Sequence, residues 1–179
     1  MGIMVSPELL RRSPFFSSME DAWLTQLAIL GSVVEVEPGQ SLFHEGDPAE
    51  ALYLIVEGGV ELRLAHGRAN IGGVVVADLG RGDILGWSSV VEPHRYSVSA
   101  VARRRSRLIR FEAAGLCQAM AHQPAMGYLL MSRIVRIIGD RLAQLRVEIV
   151  SLIEGDRWQD FSGRKSHYVS EGGRSAPKD

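Results

Sequence analysis

The segment of residues 82–97 combines glycines, hydroxyls and basic side chains in a spacing that suits an anion. It reads GDILGWSSVVEPHRYS, so two apolar residues, Ile84 and Leu85, lie between two glycines and a pair of serines follows. A short helical turn can begin at Ser88, with a hydroxyl as its N-cap, and would end at Pro93. Free backbone N–H groups at such a turn attract anions, and His94 or Arg95 directly after it would complete a phosphate site.

The same spacing is also typical of a β-barrel corner that binds nothing. Glycines commonly serve the bends of such corners, because they tolerate backbone conformations that other residues avoid. The local pattern leaves both interpretations open, and the elements on either side are needed to place the segment.

The composition limits the class of protein. Of the 179 residues 46% are hydrophobic, so the chain can bury a sizeable core, and the formal net charge of -1 argues against a general nucleic-acid-binding surface. The single cysteine, Cys117, cannot pair within the chain, which favours a reducing compartment. The N-terminus lacks the pattern of a signal peptide, and the longest apolar segment is interrupted by charges. We therefore predict a cytoplasmic protein without a membrane span.

Changes in apolar periodicity divide the chain into four parts. Residues 1–31 have the period of helices, and residues 32–111 form short alternating runs separated by glycine-containing turns. Residues 112–153 return to a helical period, whereas residues 154–179 lose the apolar pattern and are predicted to be a disordered tail. Short strands at this spacing predict a mainly β fold, an antiparallel barrel or jelly roll with flanking helices.

Three local patterns within these parts give sharper expectations. Ser17 and Glu20 have the spacing of a capping box, which predicts a helix that starts at Ser17. Gly58 and Gly59 are expected to turn one strand back into the next. The basic tract 103–106 is expected to form the tip of another hairpin, between strands at 96–102 and 107–111.

Residues 124–153 carry the longest helical pattern. Its apolar residues recur at alternating steps of four and three, which is a heptad seam that should pair with a partner helix. A helix of about 30 residues would be about 45 Å long, which is more than the barrel can cover. Packing within one chain is the alternative, but we predict a two-fold homodimer because an apolar seam left in water is costly. The predicted interface residues are Met131, Val135, Ile138, Leu142, Leu145, Ile149 and Leu152.

Two strings carry a resemblance to a known family. Residues 42–61 read LFHEGDPAEALYLIVEGGVE, and residues 82–86 read GDILG. They resemble the cyclic nucleotide-binding domain, and most closely the effector domain of the cAMP receptor protein and FNR family of bacterial regulators. The resemblance covers about residues 9–153 and implies a jelly-roll barrel with a long C-terminal dimerisation helix. In that family residues 82–97 would be the phosphate-binding cassette, and we call them the cassette below.

The resemblance also implies a cyclic nucleotide, cAMP or cGMP, held by backbone amides, by a glutamate after the second glycine and by an arginine after the short helix. This sequence has Trp87 at the glutamate position, and an indole cannot accept a hydrogen bond from a ribose hydroxyl. When Pro93 and Ser97 are aligned with the family pattern, His94 stands at the arginine position and Arg95 one residue later. Ser97 matches the threonine that contacts the phosphate. The cassette is therefore open to a cyclic nucleotide, to another anion or to no ligand.

In that family a DNA-binding helix-turn-helix usually follows the long helix, and it needs another ~60 residues. Residues 154–179 contain no periodic apolar segment, so we predict no DNA binding by this chain alone. The five histidines show no metal-ligand spacing, and no catalytic constellation is present in the sequence.

The sequence thus predicts a non-enzymatic sensor domain that dimerises, binds a small anion and is read by a regulatory protein partner. The alternative is an interaction or scaffold domain that keeps the fold, with Trp87 filling the former ribose site. Metal ligands and catalytic residues are predicted to be absent. The candidate ligand-binding residues are Leu85, Gly86, Trp87, Ser88, Ser89, His94, Arg95 and Ser97.

Overall fold

The computed structural model describes residues 4–65 and 73–164, with the side chains of the last helix described up to Val147 and at Val150. Two compact units, Met1–Arg133 and Ile134–Asp179, divide the chain. The elements in chain order are α1 Pro7–Arg11, α2 Asp21–Leu30, β1 Gly31–Val36, β2 Ser41–Phe43, β3 Ala51–Leu64, β4 Val74–Leu79, β5 Ile84–Leu85, a 3-10 turn at Trp87–Val90, β6 Ser99–Glu112, α3 Ala113–His122 and α4 Pro124–Arg164.

The two long strands β3 and β6 form the centre of an antiparallel sheet. The strand order is β1-β6-β3-β4, while β2 also pairs with β6 and β5 with β3. The β3–β6 register runs from Ala51 opposite Glu112 to Arg63 opposite Ser99. The predicted fold class, a mainly β domain with flanking helices, is confirmed.

The predicted turn at Gly58 and Gly59 is wrong, because β3 continues through both glycines. The register against β6 shifts there, so the pair forms a bulge in one bent strand. Gly58 has a φ of 101°, and a Cβ on it would lie 2.5 Å from the Cα of Ser106. The Ser106 hydroxyl accepts a hydrogen bond from the amide of Gly59 at 3.0 Å. The glycines therefore allow the close approach of β6 instead of reversing the chain.

The predicted hairpin tip in the arginine tract is also wrong, because β6 is continuous. Alternate arginines of this strand form ion pairs: Arg103 with Asp78 at 2.7 Å and Arg105 with Glu35 at 3.1 Å. Arg107 reaches the same Glu35 at 3.4 Å. Hydrogen bonds from these last two guanidinium groups hold the pKa of Glu35 below its usual range. The tract is thus a charge-balanced strand face.

The N-terminal helices differ from the predicted capping. Helix α2 begins at Asp21 with Glu20 as its N-cap and no side-chain cap, so the predicted start at Ser17 is wrong. The Ser17 hydroxyl instead donates to the carbonyl of Pro14 in the preceding turn. Helix α1 does have a capping hydroxyl, since the amide of Leu9 donates to Ser6 Oγ.

The barrel core lies between the inward faces of the strands, next to the cassette. Its members are fully or almost fully buried aliphatic and aromatic residues: Val36, Phe43, Ala49, Ala51, Tyr53, Ile55, Val60, Leu62, Leu79, Leu85, Tyr96, Ala100, Ala102 and Leu108. Leu85 and Tyr96 belong to both the core and the cassette. Core packing therefore fixes where the cassette begins and ends.

Helix α4 runs past Ile153 to Arg164, so the tail predicted from residue 154 is wrong for residues 154–164. The helix continues there although the apolar pattern stops and only Glu154, Arg157, Gln159 and Arg164 are strong helix formers. Residues 165–179 of the predicted tail lie outside the described residues. Among residues 4–65 and 73–164, no helix combines the length and apolar character that crossing a bilayer requires.

The predicted dimer seam lies along α4. Within the Ile134–Asp179 unit, Val135, Leu142 and Leu145 are 63%, 50% and 40% exposed, and Ile138 is half-buried. Met131, which belongs to the other unit, is half-buried as well. Ile149 and Leu152 lie among the residues whose side chains are not described. The homodimer stays a prediction.

Candidate ligand site in the cassette

The start of the cassette is anchored on β3. Leu85 pairs with Tyr53, the amide of Gly82 donates to the Ile55 carbonyl, and the amide of Ile55 donates to the Asp83 carbonyl. The Leu85 side chain is fully buried in the core. Only its backbone is therefore left for the ligand contact that the sequence suggested.

Gly86 turns the chain sharply off the sheet. Its φ of 77° is left-handed, and a Cβ at this position would lie 2.6 Å from the carbonyl oxygen of Ala51. The same Cβ would lie 3.3 Å from the ring of Tyr53 and 3.4 Å from that of Tyr96. Glycine is required here for both conformation and space.

A single 3-10 turn follows, from Trp87 to Val90. Its N-cap is Gly86 and no side chain caps it, so the predicted hydroxyl N-cap is wrong. The first backbone hydrogen bond of the turn runs from Ser89 N to Gly86 O at 3.0 Å, and the amides of Trp87 and Ser88 precede it. The Trp87 side chain is half-buried. One such turn offers individual amides to a ligand rather than the dipole of a longer helix.

Ser89 is the most unusual polar residue of the cassette. It is 1% exposed, and its hydroxyl has no hydrogen-bond partner among the described residues. Ser88 beside it is 8% exposed. A buried hydroxyl without a partner costs ~1–3 kcal/mol, so an atom that bonds Ser89 Oγ would recover this free energy. The sequence suggested both serines, but burial without a partner is visible only in the structure.

His94 lies close to Ser89 in space. It has a φ of 55° and follows the cis peptide bond between Glu92 and Pro93. Its Nδ1 is 3.1 Å from the carbonyl oxygen of Ser89. A carbonyl can only accept, so Nδ1 carries a proton and donates to it. The ring is exposed and its Nε2 is the nitrogen left for a ligand.

Arg95 and Ser97 are placed differently from His94. The Arg95 guanidinium donates to the carbonyl of Gly46 at 2.7 Å, so it binds the loop before β3. The neighbouring backbone pairs with the same loop, because Ala49 N donates to His94 O and Tyr96 N donates to Asp47 O. Ser97 is exposed. Their contacts with a ligand stay predictions.

Sequence reasoning missed Tyr96, which forms the floor of the cassette. Its hydroxyl donates to the carbonyl of Ala51 at 3.0 Å and accepts from the amide of Ala51 at 3.2 Å. Its ring stacks on Phe43, with centroids 3.7 Å apart and an interplanar angle of 11°. Burial of the phenol raises the pKa of Tyr96 to about 12. The available signal was an aromatic residue between polar neighbours at the start of a predicted strand.

Across residues 4–65 and 73–164, no group of three or more His, Cys, Asp or Glu side chains could hold a metal ion. Cys117 is half-buried in α3. A small cavity of about 130 Å³ lies apart from the cassette, beside His44, Glu45 and Arg63. Its arginine is already paired with Glu61 at 2.6 Å.

Comparison with known proteins decides the family. Residues 33–123 match the model of the cyclic nucleotide-binding domain. This chain belongs to that family. The family resemblance predicted from residues 42–61 and 82–86 is thus confirmed.

Individual relatives agree with this assignment. The CRP-like cAMP-activated global transcriptional regulator of Mycobacterium tuberculosis is 25% identical over 83% of this chain and 64% of its own length. A crystal structure from Geobacter metallireducens GS-15, of a protein described as cyclic nucleotide-binding, is 32% identical with a TM-score of 0.70, covering 78% of this chain and 99% of that one. The Thermus thermophilus catabolite activator protein is 26% identical with a TM-score of 0.62, covering 78% of this chain and 63% of that one.

The comparisons cover only part of the length of these two relatives. The chain spans 64% of the length of the mycobacterial relative and 63% of that of the Thermus protein. Its family is regulatory, and its fold is the jelly-roll type with a long C-terminal helix.

Proposed function

We propose that this chain is a non-enzymatic, homodimeric sensor domain that binds a small anionic ligand in the cassette. The observation that carries the proposal is the Ser89 hydroxyl, which is buried without a partner in the segment where this family holds the phosphate. Cyclic nucleotides such as cAMP and cGMP are the first ligands to test, because the mycobacterial relative is described as cAMP-activated.

The residues around Ser89 supply a consistent set of donors. The amides of Trp87 and Ser88 precede the first hydrogen bond of the 3-10 turn, and Ser88 and Ser89 are both buried within it. His94 is held by its Nδ1 on the Ser89 carbonyl, so its charge when protonated would stand beside the anion. We include Leu85 and Gly86 for their backbone, and Arg95 and Ser97 as exposed groups at the end of the cassette.

Ligand binding would be transmitted to the long helix and the dimer. A ligand can shift a conformational equilibrium only if it binds one state better than the other. We propose that the cassette packs differently on the domain when it is occupied than when it is empty. A cytoplasmic regulatory protein would bind one of these two states in preference to the other. This proposal assigns no DNA binding to the chain itself.

A second candidate function is an interaction domain that has lost its ligand. It is favoured by Trp87 at the position where the family has a glutamate, and by the Tyr96 ring packed beneath Gly86. In that case the fold and the heptad seam of α4 would serve protein–protein contacts, and the cassette would have only a structural role.

Thermal unfolding with cAMP, cGMP and inorganic phosphate separates the two candidates. A ligand at 100 times its dissociation constant should stabilise the domain by ~2.7 kcal/mol, which is a shift of several degrees for a domain of this size. Ser89→Ala should abolish the shift, whereas the exposed Ser17→Ala should keep it. If none of these anions shifts the wild-type transition, the sensor proposal fails and the interaction domain is favoured.

A further inference from the structure

The loop between α1 and α2, residues 12–20, is bonded to the start of the cassette. The Ser13 hydroxyl donates to the carbonyl oxygen of Gly82 at 2.8 Å and accepts from the amide of Phe15 at 3.2 Å. Ser13 is 3% exposed, and hydrogen bonds are stronger in such a buried environment. Pro14 lies against the same glycine, because a Cβ on Gly82 would be 3.3 Å from its Cδ. One buried hydroxyl thus joins two segments that are 69 residues apart in the chain.

The same loop is bonded to the first part of α4. The Arg133 guanidinium donates to the carbonyl oxygen of Phe15 and to the hydroxyl of Ser18. Arg133 is half-buried, and it belongs to the same compact unit as the loop and the cassette. Hydrogen bonds from a charged donor are stronger than those between neutral groups. Phe15 therefore binds α4 through its carbonyl and Ser13 through its amide.

The loop between these two contacts is held by its buried apolar side chains. Phe15, Phe16 and Met19 are all buried. The rings of Phe15 and Phe16 meet edge to face with centroids 4.8 Å apart, and Phe16 packs on Phe111 of β6 at 5.7 Å. Close-packed side chains transmit a displacement rather than absorb it. A movement of the loop at Arg133 should therefore be felt at Ser13.

We propose that the α1–α2 loop couples the cassette to α4, with Ser13 holding the cassette and Arg133 holding the helix. Both are positioning residues, since the inference assigns them no contact with a ligand. The regulatory use of this coupling rests on the proposed function, because it is the path by which a change in the cassette would reach α4. The coupling itself is a reciprocal free energy, so it can be measured from α4 towards an empty cassette.

Native-state hydrogen exchange on the full, ligand-free chain measures this coupling. The probe is the amide of Gly82, which donates to the carbonyl of Ile55 at 2.8 Å. The reference is the amide of Ala102, which donates to the carbonyl of Gln40 at 2.9 Å and lies outside the loop and the cassette. A variant that only destabilises the whole domain does not lower the protection of Gly82 relative to that of Ala102. The readout is therefore the ratio of the two protection factors.

Two single variants and their combination form the cycle. Ser13→Ala removes the direct bond and should lower the ratio by about tenfold. Arg133→Met changes a residue that does not bind Gly82, and it should lower the ratio by about fivefold. The double variant should fall no further than Ser13→Ala alone, because Arg133 acts on the cassette through the Ser13 bond. Arg136→Met is the matched control, since Arg136 is an exposed arginine on the same helix, and it should leave the ratio unchanged.

Three results would overturn the inference. The first is an unchanged ratio in Arg133→Met. The second is a double variant in which the two losses multiply, as they do for independent sites. The third is a loss in Arg136→Met as large as that in Arg133→Met, which would mean that any change in α4 loosens the cassette.

The exchange experiment contains no ligand, so its outcome is separate from that of the proposed function. Thermal shifts with an anion but no coupling in the cycle would retain the sensor and overturn the role of the loop. Coupling in the cycle without any thermal shift would support the role of the loop and overturn the sensor.

Discussion

Gly86 lies so close to Ala51 that a Cβ on the glycine would be 2.6 Å from the Ala51 carbonyl oxygen. This contact joins the cassette turn to the first residue of β3, and the Tyr96 hydroxyl donates to the same carbonyl oxygen. Ala51 is thus the point on the sheet where the start and the end of the cassette meet.

Gly86→Ala should therefore be much more destabilising than a similar change at another left-handed glycine. Gly39 has a φ of 81°, and a Cβ there would meet no atom within 4 Å, so Gly39→Ala measures the conformational cost alone. We expect the free energy of unfolding to fall by ~1 kcal/mol in Gly39→Ala and by ~3 kcal/mol or more in Gly86→Ala. Urea unfolding of both variants provides the measurement. Equal losses would show that the turn can move away from Ala51.

Ser89→Ala should change stability and ligand binding in opposite directions. Without ligand the variant removes a buried hydroxyl that has no partner, so we expect the free energy of unfolding to stay equal or rise by ~1 kcal/mol. With ligand the same variant should lose binding. Chemical denaturation without inorganic phosphate checks the expected stability, and the same measurement with phosphate checks the expected loss of binding. A loss of stability in the absence of ligand would mean that the hydroxyl already has a partner in solution.

Tyr96→Phe should alter the stability of the protein at high pH. The phenol has a pKa of about 12 in the fold, against about 10 in an unfolded chain. The stabilisation from this shift is complete below pH 10 and is lost as pH rises from 10 towards 12. Two pKa units correspond to ~2.7 kcal/mol. Between pH 8 and pH 11.5 the free energy of unfolding of the wild type should therefore fall by ~2 kcal/mol more than that of Tyr96→Phe.

Urea unfolding at pH 8, 10 and 11.5 compares Tyr96→Phe with the wild type. Tyr128→Phe is the control, because Tyr128 is 78% exposed. It should follow the wild-type profile. A Tyr96→Phe profile parallel to that of the wild type would contradict the assignment of the alkaline loss to this phenol.

Ser106→Ala should destabilise the barrel. The Ser106 hydroxyl accepts from Gly59 N at 3.0 Å and donates to the carbonyl of Arg104 at 2.7 Å. Without it the buried amide of Gly59 loses its acceptor, which costs ~1–3 kcal/mol. The exposed Ser32→Ala on β1 should change stability by less than ~0.5 kcal/mol. Thermal denaturation of both variants provides the measurement. Equal melting temperatures would disprove the role of the bulge.

Leu142→Arg should dissociate the proposed dimer. Leu142 is 50% exposed and lies at the middle of the heptad seam, so a charge there would face its counterpart in a partner helix. Val147→Arg is the control, since Val147 is 67% exposed but falls outside the seam. Sedimentation velocity should find monomers for Leu142→Arg and dimers for Val147→Arg. A monomeric wild type would contradict the dimer.

The sequence predicted the parts of the fold that depend on local patterns. The buried run at 51–57, the helical periods at both ends and the glycines of the cassette each act through neighbours in the chain. The strand continuity of β3 and β6 could not be obtained in this way. Gly58 suggests a turn by itself, and only the close approach of Ser106 explains why it is a bulge.

The candidate site shows the same division. Gly86, Ser88, Ser89 and His94 were selected from spacing, and the structure brings Ser89 and His94 within hydrogen-bond distance. Tyr96 was missed because its role depends on Phe43 and Ala51, which are distant in sequence. The Arg95 contact with Gly46 likewise depends on a loop that no local pattern placed beside it.

The pairing between the end of the cassette and the loop before β3 has a kinetic consequence. The amides of Gly46, Ala49 and Tyr96 donate across this pairing to Tyr96, His94 and Asp47, respectively. Their protons can exchange with solvent only when the two segments separate, so the three should give one common opening free energy once each rate is divided by the intrinsic exchange rate of that amide. That shared free energy would report the fraction of molecules in which the cassette is open, even in a protein with no ligand added.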